Sequence, residues 1–130
     1  MSHFTRIETQ IKDQQALAAA LESLKLRHAL DAVVRGYRGQ TTRAELVAQP
    51  GGDYDIGFVR ESADTAFAIV ADWWGVEQHS PWRQADFIKT VTQRYAYHKV
   101  LHEVQRQGFQ VVNETATPEQ GIKLTVRRWQ

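Results

Sequence analysis

The chain has 130 residues, 42% of them apolar and 24% charged, with a formal net charge of +1; this is the balance of one globular domain, and it excludes a disordered or fibrous chain and a generic polycation for nucleic acid. It has no cysteine, which excludes disulfides, thiolate zinc sites, cluster ligation and cysteine nucleophiles and fits a reducing compartment. No apolar run approaches the roughly 20 residues of a membrane span, and the start, Met1-Ser2-His3-Phe4-Thr5, lacks the basic and apolar regions of a secretory signal, so a cytosolic protein, or its plastid equivalent, is expected.

Residues 2–11 mix Phe4, Thr5, Ile7, Thr9 and Ile11 in a pattern that suits a first strand. Asp13 then offers an N-cap carboxylate, and Leu17, Leu21 and Leu24 recur on one helical face, predicting a helix to about Lys25. Four β-type runs follow, over residues 31–38, 42–49, 54–60 and 66–73. They are separated by Gly39-Gln40, Pro50-Gly51-Gly52-Asp53 and Glu61-Ser62-Ala63-Asp64, which carry the residue types that turns need. Tyr54, Ile56 and Phe58 share one face of their strand, and Phe67, Ile69 and Ala71 one face of theirs, so an antiparallel meander with one covered and one wet side is expected.

Ser80-Pro81 has the form of a helix start, with Asp86 as a later alternative, and a long second helix is predicted to Gln107. On it Phe87, Ile88, Val91, Tyr95, His98 and His102 fall on one arc, and Gly108 stands where a left-handed helix stop belongs. Residues 109–114, a turn over residues 116–121, and residues 122–129 complete the chain as a terminal hairpin. The expected fold is α+β: an antiparallel sheet with two helices packed on one face, in the order β-α-β-β-β-β-α-β-β.

Three groups of residues bear on function. His98 and His102 are four apart on the second helix and offer two nitrogen ligands. A metal would need a third ligand, from His3, His79, Asp53, Asp55 or Glu103; the ordinary alternative is a pair of histidines bonded to neighbours at the edge of an apolar helix face. Arg35, Arg38, Arg43, Arg60, Arg127 and Arg128 lie on predicted strands or their ends, interleaved with Tyr37 and Trp129. Gathered on the uncovered sheet face they would bind single-stranded nucleic acid; the balanced charge favours pairing with Glu45, Asp55 and Asp72 instead, so nucleic acid is the minority expectation. Trp73, Trp74 and Trp82 bracket the loop before the long helix, either as an anchor patch for a protein partner or as a plug at the end of the core.

For catalysis, the glycines at 36, 39, 51, 52 and 57 open no helix, so no dinucleotide or Walker-type loop is present; Asp53 and Asp55 flank Tyr54 and point the same way on a strand, a pair that could serve acid–base work but is usually a capped and solvated turn. No enzyme class gains support, and no cofactor is expected.

Four stretches together carry a family resemblance: Met1-Ser2-His3-Phe4-Thr5-Arg6-Ile7; Val34-Arg35-Gly36-Tyr37-Arg38-Gly39-Gln40; Asp53-Tyr54-Asp55-Ile56-Gly57-Phe58; and Thr92-Gln93-Arg94-Tyr95-Ala96-Tyr97-His98 followed by Gln107-Gly108-Phe109-Gln110-Val111. On these the chain resembles the small cyanobacterial and plastid family of the thirty-fifth hypothetical chloroplast reading frame, across nearly its whole length. The segment over residues 27–32 departs from the family pattern, which carries a more aromatic strand there, and this leaves pairing near Leu30 open. The family transfers no catalytic residues. The resemblance implies a cyanobacterial or plastid setting and a protein partner, an AAA-class ATPase or a ferredoxin-like protein. The expectation from the sequence is a non-enzymatic adaptor or assembly factor that uses Trp73, Trp74, Trp82, Arg35, Tyr37 and Arg38, with a metal- or small-ligand site at His98 and His102 as the competing class.

Overall fold

The computed structural model describes residues 3–116 and 122–128. In chain order the elements are β1 (Thr5–Glu8), α1 (Gln14–Ser23), β2 (Arg27–Arg35), a 3-10 turn at Tyr37–Gly39, β3 (Thr41–Gln49), β4 (Ile56–Val59), β5 (Ala68–Ala71), α2 (Trp73–His79), α3 (Gln84–Arg106), β6 (Phe109–Ala116) and β7 (Ile122–Arg128). The first five strands make one antiparallel sheet in the order β1-β5-β4-β3-β2, and β6 pairs with β7 in a separate ribbon. The α+β class and the succession of strands and long helices are as expected. Most of the turn predicted over residues 116–121, and Trp129, lie outside the described residues.

Asp13 caps α1 as its position predicts, its Oδ1 accepting from the Ala16 N–H at 3.1 Å. Leu17 and Leu21 from α1 and Phe87 and Val91 from α3 are fully buried against Leu46, Ile56, Phe58 and Ile69 of the sheet. Each such side chain contributes about 2 kcal/mol of hydrophobic stabilisation. Phe58 lies at the centre of this layer, its ring 6.4 Å from both Phe67 and Phe87.

A short helix, α2, stands where the sequence reading extends a strand to Trp73 and then a loop. Asp72 caps it, accepting from the Gly75 N–H at 3.4 Å. The long helix starts at Gln84 rather than at Pro81, because Ser80 serves the end of α2: its hydroxyl donates to the Val76 carbonyl at 2.8 Å and accepts from the Trp82 N–H at 3.1 Å.

The second side of the sheet is not the open wet surface that alternation suggests. Asp31, opposite Glu45 in the β2–β3 pair, has a left-handed φ of 49°. Strict alternation would put Val34 and Ala44 on the face of Leu46, yet they pack with Val47 as a separate buried cluster, joined by Phe4, Ala32 and Val59. The far half of the β2–β3 hairpin has folded back over β4. The Asp55 N–H donates to the Arg35 carbonyl at 3.1 Å. A Cβ at Gly57 would lie 2.4 Å from Val34 Cγ2 and 3.0 Å from Ala44 Cβ, so only glycine admits so close an approach.

Candidate docking surface

The three tryptophans divide. Trp73 is buried, its ring 5.7 Å from Phe87, and Trp82 is half-buried edge-on to the same ring at 5.5 Å; both therefore close the end of the core. Trp74 is one residue further round α2, where a helix turns the next side chain away, and is 54% exposed. Tyr37 meets it edge-on, with ring centroids 6.5 Å apart and planes at 78°, and the Arg38 guanidinium lies 5.1 Å from the centroid of the Tyr37 ring. The turn that lifts Tyr37 is closed by the Gln40 N–H on the Tyr37 carbonyl at 3.0 Å and the Gly36 N–H on the Gln40 carbonyl at 2.8 Å. Arg38 and Gly39 take the left-handed φ values of 52° and 77° that so tight a reversal needs.

Arg35 is committed elsewhere. Its Nε and Nη2 donate to the two oxygens of Asp55 at 2.8 and 2.9 Å, Nη2 also reaches the Gly52 carbonyl at 3.1 Å, and Nη1 lies 3.4 Å from Asp53. The fork-to-carboxylate bonds to Asp55 raise the guanidinium's pKa further. Asp55 is 1% exposed whereas the Asp53 side chain is almost wholly exposed, so these two carboxylates stand in different environments and do not face one another across an open site.

The remaining arginines do not assemble one basic sheet face. Arg60 grips Glu45 through Nε at 3.0 Å and Nη2 at 2.7 Å, donates through Nη1 to the Lys12 carbonyl at 2.7 Å, and stacks 4.2 Å from the centre of Phe67. Those bonds hold Glu45 below the ordinary carboxylate range, against a smaller opposing effect of burial. Arg43 donates to the Asp31 carbonyl at 3.0 Å, and Arg127 and Arg128 are on the separate ribbon.

His98 and His102 are neighbours along α3, their ring centroids 6.2 Å apart and their planes tilted by 53°, and among the described residues the buried His98 Nε2 has no hydrogen-bond partner. Burial, reinforced by His102 and Arg94, lowers the pKa of His98. Of the suggested third ligands, His79 is bonded to the Gly75 carbonyl at 3.0 Å and Asp55 to Arg35. Among the described residues no three His, Asp or Glu side chains are grouped to hold a metal ion. His102 instead lines a depression of about 370 Å³ between the start of α1 and α3. The charges there are paired, Lys99 with Asp13 at 3.3 Å and Arg106 with Glu103 at 2.6 Å.

Residues 20–125 match the family model described as protein of unknown function DUF1257. The chain belongs to this family. Relatives described as "Uncharacterized protein ycf35", a plastid reading-frame name, are similar along their length: 39% identical in Guillardia theta and 30% in Cyanophora paradoxa, each over 99% of this chain and 98% of the relative. A third, from Pyropia yezoensis, is 31% identical over the same shares. No solved structure matches the chain. No helix among the described residues is long and apolar enough to cross a membrane.

The pairing of arginines with Glu45 and Asp55 is as the sequence suggests, Arg60 with the first and Arg35 with the second. Two features of this family member were not foreseen from its residues: the exposure of Trp74 beside a buried Trp73, which depends on α2 and its cap at Asp72, and the left-handed bend at Asp31. A left-handed aspartate in a run of β-formers has no composition signature, although Asp is among the residues that tolerate this conformation.

Proposed function

We propose that the protein is a non-enzymatic adaptor or assembly factor that grips another protein through Trp74, Tyr37 and Arg38. The supporting observation is the setting of Trp74: half-exposed, braced edge-on by Tyr37, whose ring in turn carries Arg38. Trp, Tyr and Arg dominate the energetics of protein interfaces, and a ring already held in place loses little freedom on contact. Arg38 makes no ion pair among the described residues, which leaves its charge available to a carboxylate on the partner. The family resemblance supports an AAA-class ATPase or a ferredoxin-like protein as the partner, and the absence of a membrane-length apolar helix among the described residues fits a cyanobacterial cytosol or a plastid stroma.

The test is purification from a native host, identification of the co-purifying protein, and titration of the two purified components. Trp74→Ala is expected to weaken binding roughly 30-fold or more, as truncation of an interface anchor does, with an unchanged circular dichroism spectrum, while Val100→Ala on α3 leaves binding intact. Undiminished binding by both Trp74→Ala and Arg38→Ala would remove this reading.

A second reading, a metal- or small-ligand-binding domain using His98 and His102, draws support from the buried Nε2 of His98, which has no hydrogen-bond partner among the described residues. Metal analysis of untagged protein decides it. Stoichiometric metal that is lost in His102→Ala supports the reading; a metal-free preparation whose unfolding midpoint ignores added zinc removes it.

A further inference from the structure

We infer that the outer edge of β7 receives an extended segment of a partner protein in which acidic and aliphatic residues alternate. This surface is separate from Trp74 and gives the chain a second point of attachment.

The ribbon of β6 and β7 has two strands, a size that is marginal in water on its own. It is supported on one side: β6 lies against α3, where the Tyr97 hydroxyl donates to Glu114. β7 pairs with β6 along one edge, and its other edge has no strand beside it among the described residues. Such an edge is a template for strand addition, in which backbone bonds supply affinity and the alternating side chains supply selection.

The side chains of β7 state what they would select. Lys123, Thr125 and Arg127 are exposed, and Leu124 and Val126, between them, are half-buried. A strand laid alongside places one set of its residues next to Lys123 and Arg127 and the other next to Leu124 and Val126; opposite charges stabilise the first contacts and apolar residues the second. The composition agrees in sign: the stretch that holds the ribbon, residues 94–130, carries six Lys and Arg against three Glu, which favours an acidic segment over a basic one.

A second copy fits this edge less well. Antiparallel pairing of β7 with itself about Thr125 sets Lys123 opposite Arg127 at both ends, a like-charge contact. The other sheet edges are poorer templates: β1 has four residues, and β2 is broken by the left-handed Asp31.

The test uses the full chain and a fluorescein-labelled peptide of alternating Glu and Val, read by anisotropy at low salt. Saturable binding is expected that weakens as salt rises, with slowed amide exchange over residues 122–128, no binding of an alternating Lys and Val peptide, and no effect of Trp74→Ala. The double variant Lys123→Glu with Arg127→Glu is expected to lose the acidic peptide by roughly tenfold or more and to gain the basic one. Lack of saturable binding overturns the inference, as does equal binding of an alternating Glu and Gly peptide, which would show charge alone at work. A concentration-dependent dimer that the double variant abolishes reassigns the edge to a second copy. Should the double variant unfold, the exchange footprint on the unaltered chain decides: protection away from β7 overturns the inference.

Discussion

Arg35 and Asp55 clasp each other twice, once through side chains and once through backbone. The carboxylate takes the guanidinium fork at 2.8 and 2.9 Å and the Arg35 N–H at 2.9 Å, while the Asp55 N–H returns a bond to the Arg35 carbonyl at 3.1 Å. The two residues belong to segments that are not neighbours in the sheet order, so the clasp pins the folded-back end of the β2–β3 hairpin onto the start of β4.

Removing the arginine therefore leaves a carboxylate that is 1% exposed with only backbone donors. Arg35→Ala is expected to cost about 2 kcal/mol, below the usual figure for a fully buried pair because the Arg35 side chain is itself 42% exposed. Arg35→Lys, which keeps the charge and loses the fork, is expected to recover part of that. Urea unfolding measures both. A midpoint unmoved by Arg35→Ala would show that the backbone bonds alone hold the hairpin down.

His98 gives the stability a dependence on pH. Its folded pKa lies below the unfolded value because burial disfavours the imidazolium, with His102 and Arg94 acting in the same direction and Glu114 against it. Below the ordinary histidine range the unfolded chain binds the proton more readily than the folded one, so acid favours unfolding. The contribution is whole above about pH 6.5 and declines as pH falls from there to the folded pKa. In urea midpoints taken from pH 7.5 down to pH 5.5, His98→Gln is expected to flatten the decline by a fraction of a kcal/mol, the site being partly open to solvent. An identical slope in both proteins would show that His98 does not carry the acid sensitivity in this range.

The parts of this fold that were legible from residues are those decided within a few positions. Asp13 caps its own helix, Leu17 and Leu21 recur at helical spacing, Gly108 ends α3 at a φ of 88°, and the alternation of Ile56 and Phe58 sets their face of the sheet. What escaped was decided at a distance. The start of α3 at Gln84 is fixed by Glu77, whose Oε2 accepts from the Gln84 N–H at 2.9 Å from seven residues upstream, and this overrides the local signal of Ser80-Pro81. The candidate surface shows the same division. Tyr37, Arg38 and Trp74 were visible as a type of residue, but their convergence depends on the turn at Tyr37–Gly39 meeting α2, and the withdrawal of Arg35 depends on Asp55.

Gly75 tests how α2 is seated, because two effects of opposite sign meet there. Within a helix, replacing glycine by alanine ordinarily stabilises by about 1 kcal/mol. Here a Cβ would fall 2.0 to 2.4 Å from three atoms of the Tyr54 ring. That ring has little room to retreat, being buried and stacked on His79 at a centroid distance of 5.2 Å with planes 14° apart, while His79 Nδ1 bonds the Gly75 carbonyl at 3.0 Å. Overpacking of this kind costs about 1–3 kcal/mol, so Gly75→Ala is expected to be destabilising despite the gain in helix propensity. The paired variant Gly75→Ala with Tyr54→Leu, which clears the ring from the contact, should lose less than the sum of the single changes. Additive losses in urea unfolding would mean that the ring and the helix do not constrain each other, and Trp74 would then have no fixed platform on this side.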